Sequence, residues 1–328
     1  MPAPQPPPFL SLDDPPSSGG REAAPLSFTE QWLELTDQLE AALLELRPGT
    51  NWRTRLFQVH GRMRQLAQRR PDGSLYHLVY EAGTSVRKYS CQHALLSVLI
   101  SEQAAAVLGR PQGWIDSLGR AALTMNVAMM GLQDRLAHSR LAMTGQVRAV
   151  IDGHAELGAR LLEAAGFGDP MCLSVVRLHH DTAGADLPLA ERPPEHQLAR
   201  LLRRVDIFAA KISRRATRSP MSPVRAAREA CLGADRLPDE IGGALLKTVG
   251  LYPPGSFVEL ASGELGIVVA RGSRANLPCV AALATPRGSP LGGPLLRDTA
   301  NERYALKGPV SPSQVKLRPP HERVLALR

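Results

Sequence analysis

Aromatic residues are scarce in this chain, at 4% of 328 residues, while the hydrophobic content of 44% is ordinary for a globular protein. Leu, Ala and Val must therefore fill the core, and no aromatic platform for stacking nucleic-acid bases is evident. Long apolar runs are missing too. The most apolar stretch, AALTMNVAMMGL at 121–132, is followed by charge and falls short of the ~18–20 residues a membrane span needs. The N-terminus has neither a basic n-region nor an apolar h-region, so no secretory signal is expected. The four cysteines (Cys91, Cys172, Cys231 and Cys279) show no CxxC spacing. They read as reduced, mostly buried thiols of a cytoplasmic protein. Helix-turn-helix and zinc-finger signatures are absent, which argues against a sequence-specific nucleic-acid reader.

Charge, by contrast, is plentiful and uneven. The net charge is +8, yet residues 1–50 carry eight acids and two bases, leaving the remainder near +14. A basic body behind an acidic leader suits an anionic partner: nucleotide, nucleic acid or membrane surface. An arginine-rich genome would give the same count without any partner.

Residues 1–25 are rich in proline, with DD and SSGG, and cannot bury enough apolar surface to offset ordering entropy; disorder is expected there. Ser27-x-x-Glu30 then reads as a capping box. Phe28, Trp32, Leu35, Leu39 and Leu43 follow at helical spacing, and Pro48-Gly49 ends the helix. A second helix shows Trp52, Leu56, Val59, Met63 and Leu66 on one face. Together, over 26–72, they predict a helical hairpin, suited to homodimerisation, docking of a signalling partner or packing onto the main domain.

From 76 to 250 the pattern is helix after helix: about 86–108, 114–132, 145–152, 154–165, 170 onward, 195–217, 222–233 and 239–249. Tyr252-Pro253-Pro254-Gly255 changes the character. SFVELASGELGIVVA alternates about a turn at Ser262-Gly263-Glu264, and PCVAALA at 278–284 is a further strand candidate. The fold class expected is mainly α, a helical bundle with an N-terminal helical hairpin and a small β-rich appendage over 251–328.

Several titratable groups occupy suggestive places in the helical block. His93 lies inside the apolar YSCQHALLSVLISEQ, His154 opens HAELGARLL, His179 and His180 close SVVRLHHD, and Asp206 sits within ARLLRRVDIFAAKISRR. Imidazoles and a carboxylate on different helices of a bundle can converge on one transition metal. Asp206 falls on the flank of the face made by Leu198, Leu201, Leu202, Val205, Phe208, Ala209 and Ile212, where an unpaired carboxylate is costly. A metal, a histidine or the nearby Arg203 would each resolve that cost. Taken singly, every histidine also has an ordinary structural reading.

Order and spacing together resemble the HD superfamily of metal-dependent phosphohydrolases, and within it the HD-GYP group of bacterial cyclic-di-GMP phosphodiesterases. The resemblance covers about 85 to 250, plus YPPGSFVELASGE, and implies an HD-type helical bundle. His93, preceded by Tyr89, is similar to the family's first-helix histidine. His154, with Gly158, resembles H-x-x-x-G; His179-His180-Asp181 resembles HHE; and Asp206 matches the aspartate of ADxxxALxSxRxxR, here VDIFAAKISRRATR. The defining segments depart. AALLHDIGK aligns with AALTMNVAM at 121–129, so Met125 replaces the histidine, Asn126 the aspartate and Met129 the lysine. GYP aligns near Asp186-Leu187-Pro188, where only the proline is kept.

What the resemblance implies follows from these matches and gaps. In the family the doublet aspartate bridges two metals, usually iron or manganese. Neutral Asn126 is a poor bridge, Met125 offers a soft thioether, and Met129 offers phosphate no positive charge. The implied metal residues are His93, His154, His179, His180 and Asp206, holding one divalent Fe, Mn or Zn, or none. Arg215 and Arg218 fall on the phosphate-contacting RxxR. Three outcomes stay open: an impaired copy that binds a cyclic dinucleotide or a protein partner, an active phosphodiesterase with an atypical, mononuclear site, and a helical scaffold whose histidines are relics and whose arginine-rich segments bind a partner protein or nucleic acid.

Overall fold

The computed structural model describes residues 25–183, 187–233 and 237–328. The leader expected to be disordered falls, but for Pro25, outside them, as does Asp186. Helices dominate, followed by one small sheet, as the hydrophobic patterning predicts.

Helix α1 (Phe28–Leu44) starts with the predicted capping box, in which Ser27 Oγ accepts from Glu30 N–H at 3.3 Å and Glu30 Oε2 accepts from Ser27 N–H at 2.8 Å. It packs against α2 (Trp52–Arg69). The hairpin's apolar faces are spent inside this chain: Trp32, Leu35, Leu39, Trp52 and Leu56 are buried in the same cluster as the rest of the core. Sequence periodicity missed α3 (Pro71–Thr84), because its buried residues run almost continuously and leave little amphipathic contrast.

Helix α4 (Tyr89–Val107) is buried nearly all round and forms the axis of the bundle. The single helix expected over 114–132 is instead α5 (Gln112–Thr124), a short 3-10 turn at Val127–Met129, and α6 (Met130–His138). Conversely, the two helices expected over 145–152 and 154–165 are one, α7 (Gly145–Ala164). Helix α8 (Pro170–Leu178) is capped by Asp169, whose Oδ1 accepts from Cys172 N–H at 3.0 Å. Helix α9 (Pro194–Ile212) stops five residues short of expectation, and α10 (Pro223–Ala230) and α11 (Glu240–Val249) complete the block.

The appendage is a five-stranded antiparallel sheet in the order β4-β3-β2-β1-β5, built from β1 (Phe257–Leu260), β2 (Leu265–Ala270), β3 (Cys279–Ala284), β4 (Pro290–Arg297) and β5 (Leu306–Val310). The predicted turn at 262–264 joins β1 to β2. A closing helix, α12 (His321–Leu325), returns to the bundle, where Tyr76 Oη meets His321 Nδ1 at 3.0 Å and Thr29 Oγ1 donates to Glu322 Oε1 at 2.7 Å. Gly255, at φ +88°, runs against α3 so closely that a Cβ would lie 2.5 Å from Tyr76 O. No helix among the described residues is long and apolar enough to cross a membrane.

Candidate metal and ligand site

The bundle brings His154, His179 and His180 together. One ligand nitrogen from each lies within 4.8 Å of the others. His154 sits in the middle of α7 rather than opening a helix, and His179 caps the end of α8. His154 and His179 are buried, whereas His180 is exposed.

The proton positions in this group follow from simple accounting. His154 Nδ1 points at the carbonyl of Ile151, and His179 Nδ1 points at that of Val176, at 2.6 Å. A carbonyl oxygen can only accept, so each Nδ1 carries the hydrogen and each neutral ring turns a bare Nε2 lone pair outward. Those two Nε2 atoms face one another at 3.2 Å. Burial, reinforced by the neighbouring His180, drives the His179 pKa down from 6.5 to about 3, so His179 brings no proton of its own to relieve the contact at neutral pH. A cation does. Two imidazole nitrogens on a tetrahedral metal stand about 3.3 Å apart, given metal–nitrogen bonds of ~2.0–2.1 Å, and backbone carbonyls on the far nitrogens are the usual orienting partners. The residues present therefore fit one transition-metal ion.

His93 and Asp206 form a separate pair beside this cluster. His93 Nε2 lies 2.7 Å from Asp206 Oδ1, bridging α4 and α9. The structure thus pairs Asp206 with a histidine and not with Arg203. Burial works against ionising Asp206, but the His93 hydrogen bond and the His93, His179 and His180 rings outweigh it and hold the pKa at about 2. On the other edge of the ring, His93 Nδ1 is buried with no partner among the described residues.

Tyr89 stacks on His93, with centroids 5.9 Å apart and planes at 16°. Arg215 donates to Tyr89 Oη from Nε at 2.9 Å and from an Nη at 2.6 Å, with its guanidinium over the same ring. Since α9 ends at Ile212, Arg215 lies on the loop beyond it with Arg218, and not on the helix expected over 195–217. Arg218 donates to Ala210 O. Arg140 and Arg214 join both around a cavity of about 360 Å³. Sequence reasoning missed these two, because the loop between α6 and α7 carries Arg140 with no periodic signal.

Met125 and Asn126 end α5, both buried. A Cβ on Gly158 would lie 3.7 Å from Met125 O, from Val127 Cγ1 and from Val176 Cγ1. The turn holding Met125 and Asn126 therefore packs on α7 and α8 one helical turn from His154. Asn126 Nδ2 has no hydrogen-bond partner among the described residues. Met129 is half-buried in the 3-10 turn, and Leu187 and Pro188 precede another such turn at Leu189–Glu191.

Comparison with known proteins gives one informative likeness. Over 193 residues the chain is 25% identical to a cyclic di-GMP phosphodiesterase of Pseudomonas aeruginosa. The matched region is 58% of this chain and 46% of the relative, so the chain spans less than half of that protein's length. No protein-family model matches the chain, and no solved structure does.

Proposed function

We propose that this chain is an HD-GYP-type protein of cyclic-di-GMP signalling that holds a single divalent metal on His154, His179 and His180 and binds a cyclic dinucleotide rather than cleaving it. The observation that carries this reading is the pair of bare Nε2 lone pairs facing each other at 3.2 Å. The similarity to a cyclic di-GMP phosphodiesterase supports the ligand class. A bound Fe, Mn or Zn would supply Lewis acidity toward a phosphate oxygen. The chain's own residues would supply the rest. Arg215 and Arg218, with Arg140 and Arg214, would pair with phosphate oxygens. Tyr89 would pass the position of Arg215 to the His93–Asp206 pair.

Loss of cleavage follows from Asn126 and Met125. A neutral amide does not hold two cations together, and a thioether replaces a nitrogen donor. A second reading, mononuclear hydrolysis, is favoured by Asp206, which stays ionised beside the histidines. Self-association through α1 and α2 would rest on the exposed Leu44 and Phe57, since the other large apolar side chains there are committed to the core.

The test is metal analysis of the purified full chain, with binding and hydrolysis assays on cyclic-di-GMP. About one equivalent of metal, removed by His154→Ala, with binding but no turnover, is the expected result. Turnover comparable to that of an intact relative would replace the binding reading with the hydrolytic one. Absence of both metal and binding would end both.

A further inference from the structure

Helix α9 presents a second chemical feature beside the histidine cluster. Residues spaced by three and four along it line a cleft of about 240 Å³: Arg200, Arg203, Arg204, Ile207 and Lys211, with Asp181 and Thr182 just beyond His180 forming the facing wall. From sequence, at helical spacing, Arg200, Arg204, Lys211, Arg215 and Arg218 read as a basic stripe opposite the apolar face. The structure divides them by their partners.

Arg204 is structural. It donates to both carboxylate oxygens of Asp239, at 3.2 and 2.6 Å, and to the carbonyls of Ala230 and Leu232, tying α9 to the end of α10 and the start of α11. Lys211 is held by Glu229 at 2.7 Å. Asp181 Oδ1 accepts from Ala183 N–H at 2.8 Å. Asp206, one turn beyond Arg203, belongs to His93. Arg203 remains: it is half-buried, and it makes no ion pair or hydrogen bond among the described residues. A partly desolvated guanidinium facing a cleft is expensive unless an anion meets it. The local field agrees. Burial, together with Arg192 and Arg204 and with Arg203 adding to them, outweighs Asp239 and lowers the pKa of Arg200.

We propose that this cleft is a phosphate subsite in which Arg203 receives the phosphate of a nucleotide. The guanidinium supplies paired donors to phosphate oxygens, and the exposed side chain of Ile207 gives the nucleoside an apolar wall. That the same nucleotide reaches the histidine cluster rests on the reading given above. The subsite itself rests on α9 alone.

The experiment is calorimetric titration of the full chain in phosphate-free buffer with inorganic phosphate and, separately, guanosine 5'-monophosphate. Wild type is expected to bind both, the nucleotide more tightly. Arg203→Gln is expected to weaken the cleft event by at least about tenfold, as loss of a charged hydrogen-bond pair implies, with metal content and melting temperature unchanged. Arg203→Lys, which keeps charge but not the fork, is expected to fall between. Arg215→Gln, on the separate arginine cavity, should retain the event that Arg203→Gln removes. His154→Ala should lose metal yet still bind inorganic phosphate, so failure of the metal reading leaves this proposal standing. Unchanged affinity in Arg203→Gln overturns it, as does absence of any binding to wild type. Equal affinity for phosphate and nucleotide overturns the nucleotide assignment.

Discussion

His93 and Asp206 are joined across the α4–α9 contact by a hydrogen bond of 2.7 Å, and the two ends of that bond are not equivalent. Asp206 keeps its charge, and its side chain is only 16% exposed. His93→Ala leaves that carboxylate buried and unpaired, at a cost of about 3–5 kcal/mol. Asp206→Ala leaves a ring that can stay neutral, and should cost about 1–3 kcal/mol. Chemical denaturation of the two variants checks the order. Equal losses would mean that the pair is neutral and the charge argument wrong.

A second network depends on a glycine. Glu102 accepts from Arg64 and meets His60 Nε2 at 2.5 Å, while Arg64 also reaches Asp116. A Cβ on Gly119 would collide with Glu102 Oε1 and crowd His60 Nε2. Gly119→Ala is expected to destabilise by about 2–4 kcal/mol, combining overpacking with a broken buried pair. Gly113, on the same helix, has no neighbouring atom within 4 Å. Gly113→Ala should be neutral or stabilising by up to ~1 kcal/mol. Similar melting temperatures for the two alanine variants would refute the steric account.

His77 gives a pH dependence away from the histidine cluster. It is buried on α3 against Trp32, and burial, helped by His321, lowers its pKa from 6.5 to about 3. The unfolded chain therefore takes up a proton at higher pH than the folded chain does. The associated stability is fully present above about pH 6.5 and is lost as pH falls toward about 3. The slope for one proton is at most about 1.4 kcal/mol per pH unit. His179, His180 and His321 shift in the same direction, so the measurement is a difference. Denaturation of wild type and His77→Leu between pH 7 and pH 5 should show the shallower decline in the variant. Parallel curves would count against it.

Periodicity and caps made much of the fold legible: the Ser27–Glu30 box, the long α4 and the turn at 262–264 all follow from local chemistry. Elements whose residues are buried on every side, such as α3, carry no period to read. The exposed, glycine- and proline-containing β4 has little strand character of its own and is defined by pairing with β3. Asp206 announced itself by position, as a carboxylate on an apolar flank. The Nδ1–carbonyl bonds that leave two lone pairs face to face were invisible, since they depend on helix ends and on how α7 meets α8. Arg203 was legible only as a candidate partner for Asp206; that His93 takes Asp206, while Arg204 and Lys211 pair with Asp239 and Glu229, depends on how the helices pack.

The same geometry bears on what placing a histidine–aspartate doublet at 125 and 126 would do. Met125 and Asn126 are both buried where the end of α5 packs on α7 and α8, and Asn126 already leaves an Nδ2 donor unmet. That orphan costs about 1–3 kcal/mol in its own right. Asn126→Asp alone buries a carboxylate with no cation to meet it and should destabilise the metal-free chain. Met125→His with Asn126→Asp adds the nitrogen donor that lets a second cation neutralise that carboxylate. Metal content is then expected to rise from about one to about two equivalents, and chelation should lower the melting temperature of the double variant more than that of wild type. Unchanged metal content with a folded variant would place the lesion in the packing around Gly158 rather than in the two replaced side chains, because the donors would be present but unable to converge.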